Sequence, residues 1–348
     1  LCLQIPRFLL AQLHTKSLSD KRTPYKVKSA LVGFSKGSAA LDEAYKEAVQ
    51  RIEDQPSEDH QLARKVLSWI TCAKRPLTTV EICCALAIEH GDTELKPESV
   101  PDVEDLVLVC AGLVVVDQES KIIRLVHYTT QEYFERILEA WMPTAQVDIA
   151  STCLTYLSFE SFKKNGRYDY YSKSMIRYQL YDNAFLRYAA EYWGEHVRVV
   201  QDKVFELAYP FLIHDGLVPN VAQVRISILG YQSEFTCSSW PCNWTGLHIT
   251  AQLGLYRVSM LLIERLKERS IVAVNTLNDD GQAPLHLAAE YGHCQTAKLL
   301  IHEGATIDAH NHINCIALQI ASYAGHEHMV KLLLDQSWMI FARLRLTE

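Results

Sequence analysis

The chain has 348 residues, enough for two or three domains with their own cores. Its 49% apolar and 22% charged residues match a soluble globular protein, and its net charge of −7 excludes a general nucleic-acid binder, which needs a basic face to displace counterions. Ten cysteines, two of them adjacent at Cys83 and Cys84, read as reduced, buried thiols of a cytoplasmic protein.

Residues 1–58 read as helical. LCLQIPRFLLAQLH opens at Leu1 without the basic n-region or small-residue cleavage site of a signal peptide, so a fragment of a longer protein is expected. DEAYKEAVQRI is the clearest helix of this stretch, and DQPSED follows as a linker.

Residues 60–140 form a second unit. LARKVLSWITCA is an amphipathic helix stopped by Pro76, and Thr78-Thr79-Val80-Glu81 is a capping box that opens the helix ICCALAIEH. A third helix runs from about Asp102 to Cys110 and ends at Gly112. LVVVD and KIIRLVH, separated by QES, read as a β-hairpin. A second capping box, Thr129 to Glu132, is expected to start the helix QEYFERILEAW. Three helices and a hairpin in this order make a winged helix. The unit carries eight Lys and Arg against thirteen Asp and Glu, and its third helix opens on Asp102, Glu104 and Asp105, so duplex DNA would be repelled. The longest apolar run, 106–116, is 11 residues, short of the roughly 20 needed to span a bilayer, so no membrane segment is expected.

Residues 145–240 read as a helical connector with eight tyrosines between Tyr156 and Tyr192. Aromatic packing, with YAAEYWGEHV as one buried face, accounts for them better than a cofactor cluster.

Residues 241–348 repeat. Leu285, Gly292 and Leu299 recur 33 residues on as Leu318, Gly325 and Leu332, and Leu247, Gly254 and Leu261 precede them by 38. The extra five residues are expected in KERSIV. Pro284 suits a first helical turn, the glycines suit a chain reversal, and Ala288, Ala289 and Ala321 let helices approach closely. The capping threonine survives only as Thr245, replaced by Ala283 and Ile316, at about 1 kcal/mol per lost cap. After Gln336 the pattern is expected to dissolve. The segment resembles ankyrin repeats, about three of them with the last incomplete. That resemblance implies a partner protein bound through loop tips and the inner helix face, here Gln252, Leu253, Glu290, Tyr291, Tyr323, His310, Asn311 and His312.

Candidate chemistry is sparse. Cys237, Cys242 and His248 have loosely zinc-like spacing, but His248 sits where an ankyrin histidine bonds within its turn, so no metal is expected. No H-E-x-x-H or P-loop is present, and GFSKGS lacks the P-loop spacing, so neither enzyme activity nor a cofactor is expected.

PRFLLAQLH, LDEAYKEAVQRI, LSWITCAKRPLTTVEICCALA, CAGLVVVD, RLVHYTTQEYFER, LRYAAEYWGEH and the repeats together resemble the fungal NACHT–ankyrin proteins, NLR-like members of the STAND class of signalling NTPases. The resemblance implies a mainly α fold. It places the tail of a NACHT module at 1–58, a winged helix of the GPI inositol-deacylase type at 60–140, a connector at 145–240 and ankyrin repeats at 241–348. The winged-helix label implies no deacylase activity. In that class a histidine before an H-x-x-x-Q-E-[FY] helix contacts the β-phosphate of ADP. His127-Tyr128-Thr129-Thr130-Gln131-Glu132-Tyr133 fits, so the resemblance makes His127 a phosphate contact beside an intact nucleotide domain and a local hydrogen-bonding group without one. Oligomerisation is implied only for the complete NTPase. The rival reading is a free-standing ankyrin adaptor with a vestigial winged helix.

Overall fold

The computed structural model describes residues 23–26, 38–163, 172–229, 243–270 and 274–346. It is mainly α, and the chain divides into two compact units: Leu1–Ile88 with Lys96–Ala145, and Glu89–Leu95 with Gln146–Glu348. The expected helix LCLQIPRFLLAQLH lies outside the described residues.

The first unit opens with α1 (Ser38–Glu53) and α2 (Ser57–Cys72). Pro56 fixes the entry to α2, Glu58 and Asp59 complement its N-terminal dipole, and Ala63, Val66, Leu67 and Trp69 recur on one buried face. A short strand β1 (Leu77–Thr78) leads into α3 (Thr79–Leu86) through the expected capping box. Thr78 Oγ1 accepts from the Glu81 N–H at 3.3 Å, and Glu81 Oε2 accepts from the Thr78 N–H at 2.9 Å. The Arg75 fork closes on the same carboxylate at 2.6 and 3.0 Å. Burial alone would raise the Glu81 pKa, but Arg75 and the Thr78 donors outweigh it and hold the carboxyl below its usual range.

Helix α4 (Val103–Val109) is followed by two successive left-handed residues, Ala111 and Gly112, which turn the chain into β2 (Val114–Val116). Strand β3 (Ile122–Leu125) pairs antiparallel with β2 and also with β1, giving the order β1-β3-β2. The expected hairpin is therefore the larger part of a three-stranded sheet. Its third strand, two residues long, is too short to show alternation in the sequence. Asp117 organises the turn, its Oδ1 accepting from Glu119 N–H, Ser120 N–H and Ser120 Oγ. Helix α5 (Tyr128–Trp141) closes the unit.

In the second unit, α6 (Ala145–Leu157), α7 (Glu160–Lys163) and α8 (Ser172–Asp182) precede the long α9 (Leu186–Leu212) and α10 (Leu217–Leu229). Tyr156 packs among Phe159, Phe162 and Phe185 with ring centroids 5.0–5.5 Å apart, and Tyr188 stacks on Phe185. Tyr156, Tyr188 and Trp193 are buried as expected, whereas Tyr178 and Tyr181 are exposed, and Tyr168, Tyr170 and Tyr171 lie outside the described residues. Helix α9 breaks its regular dihedrals at Val200.

Three helix pairs then stack: α11 (Gly246–Leu253) with α12 (Tyr256–Glu268), α13 (Pro284–Glu290) with α14 (Cys294–His302), and α15 (Ala317–Tyr323) with α16 (Glu327–Leu346). Gly254, Gly292 and Gly325 take positive φ between the members of each pair. The insertion falls largely within α12, which has 13 residues where α14 has 9. Beyond Gln336 the chain continues as helix to Leu346, so α16 has 20 residues where α14 has 9, because nothing in SWMIFARLRL breaks a helix.

Candidate functional site

Two places carry the residues singled out by the sequence. The first is the corner between β3 and α5. His127 has an extended backbone, φ −156° and ψ 157°, and is itself the N-cap of α5. Its Nδ1 accepts from the Thr129 N–H at 3.3 Å and lies 2.8 Å from Thr129 Oγ1. The expected Thr129 capping box is therefore replaced: the imidazole takes the orphan amide, and Thr129 stands one residue inside the helix. Its freed hydroxyl lies 2.6 Å from the phenol of Tyr45 on α1, and Thr130 Oγ1 donates to the same phenol at 3.2 Å. Tyr45 and Thr130 are buried, and Tyr45 packs on Tyr133 at 5.2 Å.

Beside this corner is a cleft of about 380 Å³ bounded by the end of α2, the start of β1 and strand β3. Lys74, Arg75, Arg124, His127, Tyr128 and Gln131 contribute its polar lining. In a unit with an acidic balance, this is a locally basic cleft. Tyr128 is exposed and its ring lies 4.3 Å from the imidazole. The geometry suits an anion that approaches His127 from the cleft, while the cap bond already holds the ring in place.

The second place is the inner face of the stacked pairs. Gln252, Glu290 and Tyr323 occupy the same position in successive pairs. Gln252 Nε2 donates to the Tyr291 hydroxyl at 3.1 Å, and Tyr323 is 64% exposed. His310 and His312 are exposed at a loop tip. Two of the expected partner contacts are corrected. Leu253 is buried on α9, where its Cδ1 fills the space a Cβ at Gly194 would need, and its carbonyl accepts from Arg198. Asn311 is buried too, its Oδ1 accepting from the Ile313 and Cys315 amides. Both are struts of the fold.

Histidines stitch the stack together. His248 Nδ1 accepts from the Thr245 N–H at 3.1 Å, and its Nε2–H donates to the Gln282 carbonyl of the next pair at 3.0 Å. His286 does the same with Ala283 and Ala309, at 3.0 and 2.9 Å. In the third pair Gln319 Oε1 accepts from the Ile316 N–H at 3.0 Å. Half of each capping box thus survives where threonine is lost, since alanine and isoleucine offer no side-chain acceptor. A second set runs backwards: His293 Nε2–H donates to the Gln252 carbonyl at 3.0 Å and His326 Nε2–H to the Glu290 carbonyl at 2.8 Å. Each of these imidazoles sits against the glycine of the preceding pair. Burial drives the His248 pKa down to about 4 and lowers those of His286 and His293. Both nitrogens of His248 are engaged in these hydrogen bonds. Cys237 and Cys242 lie outside the described residues, and no cluster of metal-ligating side chains occurs among those described.

Sequence reasoning missed Tyr45, whose role depends on α1 meeting α5. It also missed the strut Asn278 and the histidines His293 and His326, and took the strut Asn311 for a partner contact, although each pair recurs at the 33-residue period. The period itself was the available signal. No described helix is long and apolar enough to cross a membrane.

Comparison with known proteins agrees with both units. The family model of the GPI inositol-deacylase winged helix domain matches residues 53–139, and that of ankyrin repeats in three copies matches residues 219–311. The chain carries a winged helix of that type and ankyrin repeats, and the latter are protein-interaction modules. The ankyrin match begins within α10. Among curated proteins, the chain is 26% identical over 297 residues to Azaphilone pigments biosynthesis cluster protein L of Monascus ruber, covering 77% of this chain and 60% of that protein. It is 41% identical over 76 residues to Ankyrin repeat and SAM domain-containing protein 6 of Mus musculus, covering 22% of this chain and 9% of that protein. The chain thus matches less than two thirds of the length of either relative.

Proposed function

We propose that this chain is the non-enzymatic regulatory and interaction part of an NLR-like signalling NTPase of the fungal NACHT–ankyrin kind. In this reading, the ankyrin repeats hold a protein partner through Gln252, Glu290, Tyr291 and Tyr323 and through the tip at His310 and His312. The winged helix restrains the nucleotide domain through His127, which donates a hydrogen bond to a phosphate of ADP and favours the inactive state. The chain itself supplies neither catalytic residues nor a cofactor.

The observation that carries this reading is the placement of His127. Its backbone is fixed by the end of β3, its Nδ1 is committed to the cap of α5, and its ring lines a basic cleft. A free-standing adaptor would need only the repeats and would leave that corner without a purpose.

The test joins this chain to an upstream NACHT domain and replaces His127 by alanine. Losing a hydrogen bond to a charged phosphate costs about 1.5–3 kcal/mol, so ADP should dissociate roughly tenfold to a hundredfold faster. Equal dissociation rates from parent and variant would favour the adaptor.

A further inference from the structure

We infer that Tyr45 is a positioning residue for His127: through the Thr129 hydroxyl, its phenol keeps the imidazole proton on Nε2. This deepens the proposed function, since it rests on His127 being the phosphate contact, and it names the group that prepares the contact.

Proton accounting in the network gives the direction. Thr130 Oγ1 donates to the Tyr45 oxygen at 3.2 Å. The phenolic proton then goes to Thr129 Oγ1 at 2.6 Å, and the Thr129 hydroxyl donates to His127 Nδ1 at 2.8 Å. The Thr129 backbone amide, which can only donate, is aimed at the same nitrogen. Every member is satisfied in this order, as the buried Tyr45 and Thr130 require. In the reverse order a proton on Nδ1 would face the Thr129 N–H. The phenolic proton would be left only the Thr130 hydroxyl, whose own proton would then lose its acceptor.

With Nδ1 an acceptor, the neutral ring carries its proton on Nε2. That nitrogen makes no hydrogen bond among the described residues, and its ring lines the cleft with Lys74, Arg75 and Arg124. The site therefore presents a donor to an anion before any ligand arrives. Tyr45 belongs to α1 and lies 84 residues from Thr129 in the chain, so the donor state of His127 depends on the seating of α1.

The tautomer is read directly by long-range ¹H–¹⁵N correlation of histidine-labelled full-length chain at pH 8, with His127 assigned by His127→Gln. The parent should show an unprotonated Nδ1 and a protonated Nε2. Tyr45→Phe should raise the minor tautomer several-fold, whereas Thr129→Ser, which keeps the relay hydroxyl, should restore nothing and lose nothing relative to the parent. A parent with its proton on Nδ1, or a folded Tyr45→Phe with the parent's signature, overturns the inference. Should Tyr45→Phe not fold, Thr129→Ala cuts the same relay, and an unchanged signature there overturns it equally. This readout involves no nucleotide. Failure of ADP retention to depend on His127 would therefore refute the proposed function while leaving the relay measurable.

Discussion

At the corner between β3 and α5, His127→Ala removes the acceptor of the Thr129 amide and leaves an uncapped helix. Loss of an N-cap costs about 1 kcal/mol, so the denaturant midpoint of the chain should fall by a small but measurable step. His127→Asn keeps an acceptor at the N-cap and should recover most of that loss. If asparagine and alanine destabilise equally, the Nδ1 bond contributes nothing to the helix. A sharper effect belongs to Gly246. A Cβ there would lie 2.4 Å from the Leu212 carbonyl oxygen, a backbone atom that cannot swing away. The next pair has Pro284 at the equivalent position. Replacing Gly246 by that proline, the more usual residue, should therefore destabilise by about 1–3 kcal/mol rather than help. A thermal melt settles it, and an unchanged or raised midpoint would show that Leu212 yields.

Among elements, the stitching histidines make stability depend on acidity. Each of His248 and His286 must have a bare Nδ1 to accept an amide and a proton on Nε2 to give to a carbonyl, so both must be neutral in the folded stack. Their folded pKa values lie below the usual 6.5 or so, which the unfolded chain retains. The unfolded state then binds more protons, and stability rises with pH across that interval. It should be fully present above about pH 6.5 and lost as pH falls toward 4. His248 alone accounts for on the order of 2 kcal/mol at pH 5, at about 1.4 kcal/mol per pH unit. His286→Gln borrows the arrangement of Gln319 and should flatten the slope of melting temperature against pH. An unaltered slope would assign the dependence elsewhere. The same elements show what a sequence discloses. Helix α2, the Thr78–Glu81 box and the glycines of the repeats were legible because their causes are local. Strand β1 was not, because two residues become a strand only when β3 is beside them. The start of α5 was misplaced for a related reason. Thr129 has the right spacing for a cap, but its hydroxyl is engaged by Tyr45, a residue no local pattern connects to it.

For the whole molecule, the stacked pairs depend on what precedes them. Helix α9 lies against both α11 and α12, with Gly194 receiving Leu253, Arg198 holding the Leu253 carbonyl, and Gln201 Oε1 accepting from the Arg257 amide at 2.9 Å. Short repeat arrays need capped ends to bury their shared core. A fragment of residues 241–348 should therefore lack a cooperative thermal transition, and one beginning ahead of α9 should regain it. A cooperative melt of the shorter fragment would show that the pairs stand alone. The winged helix and the repeats came through from sequence because each is a dense local pattern, whereas the residues by which α9 meets the first pair did not, since its small and charged contacts follow no period.

Gly246 and Gly325 also give the array a direction of inheritance. The space that a Cβ at Gly246 would need is taken by the Leu212 backbone, whereas at Gly325 nothing stands within 4 Å among the described residues, and in earlier pairs the equivalent glycine receives an imidazole. A gene duplication that copied the unit containing His286 and His293 would produce a module already able to dock behind Gly325. The same module copied ahead of Thr245 would collide with Leu212. Lineages that lengthen or shorten this protein should therefore do so on the far side, with the first pair kept in single copy and the later ones free to multiply and diverge.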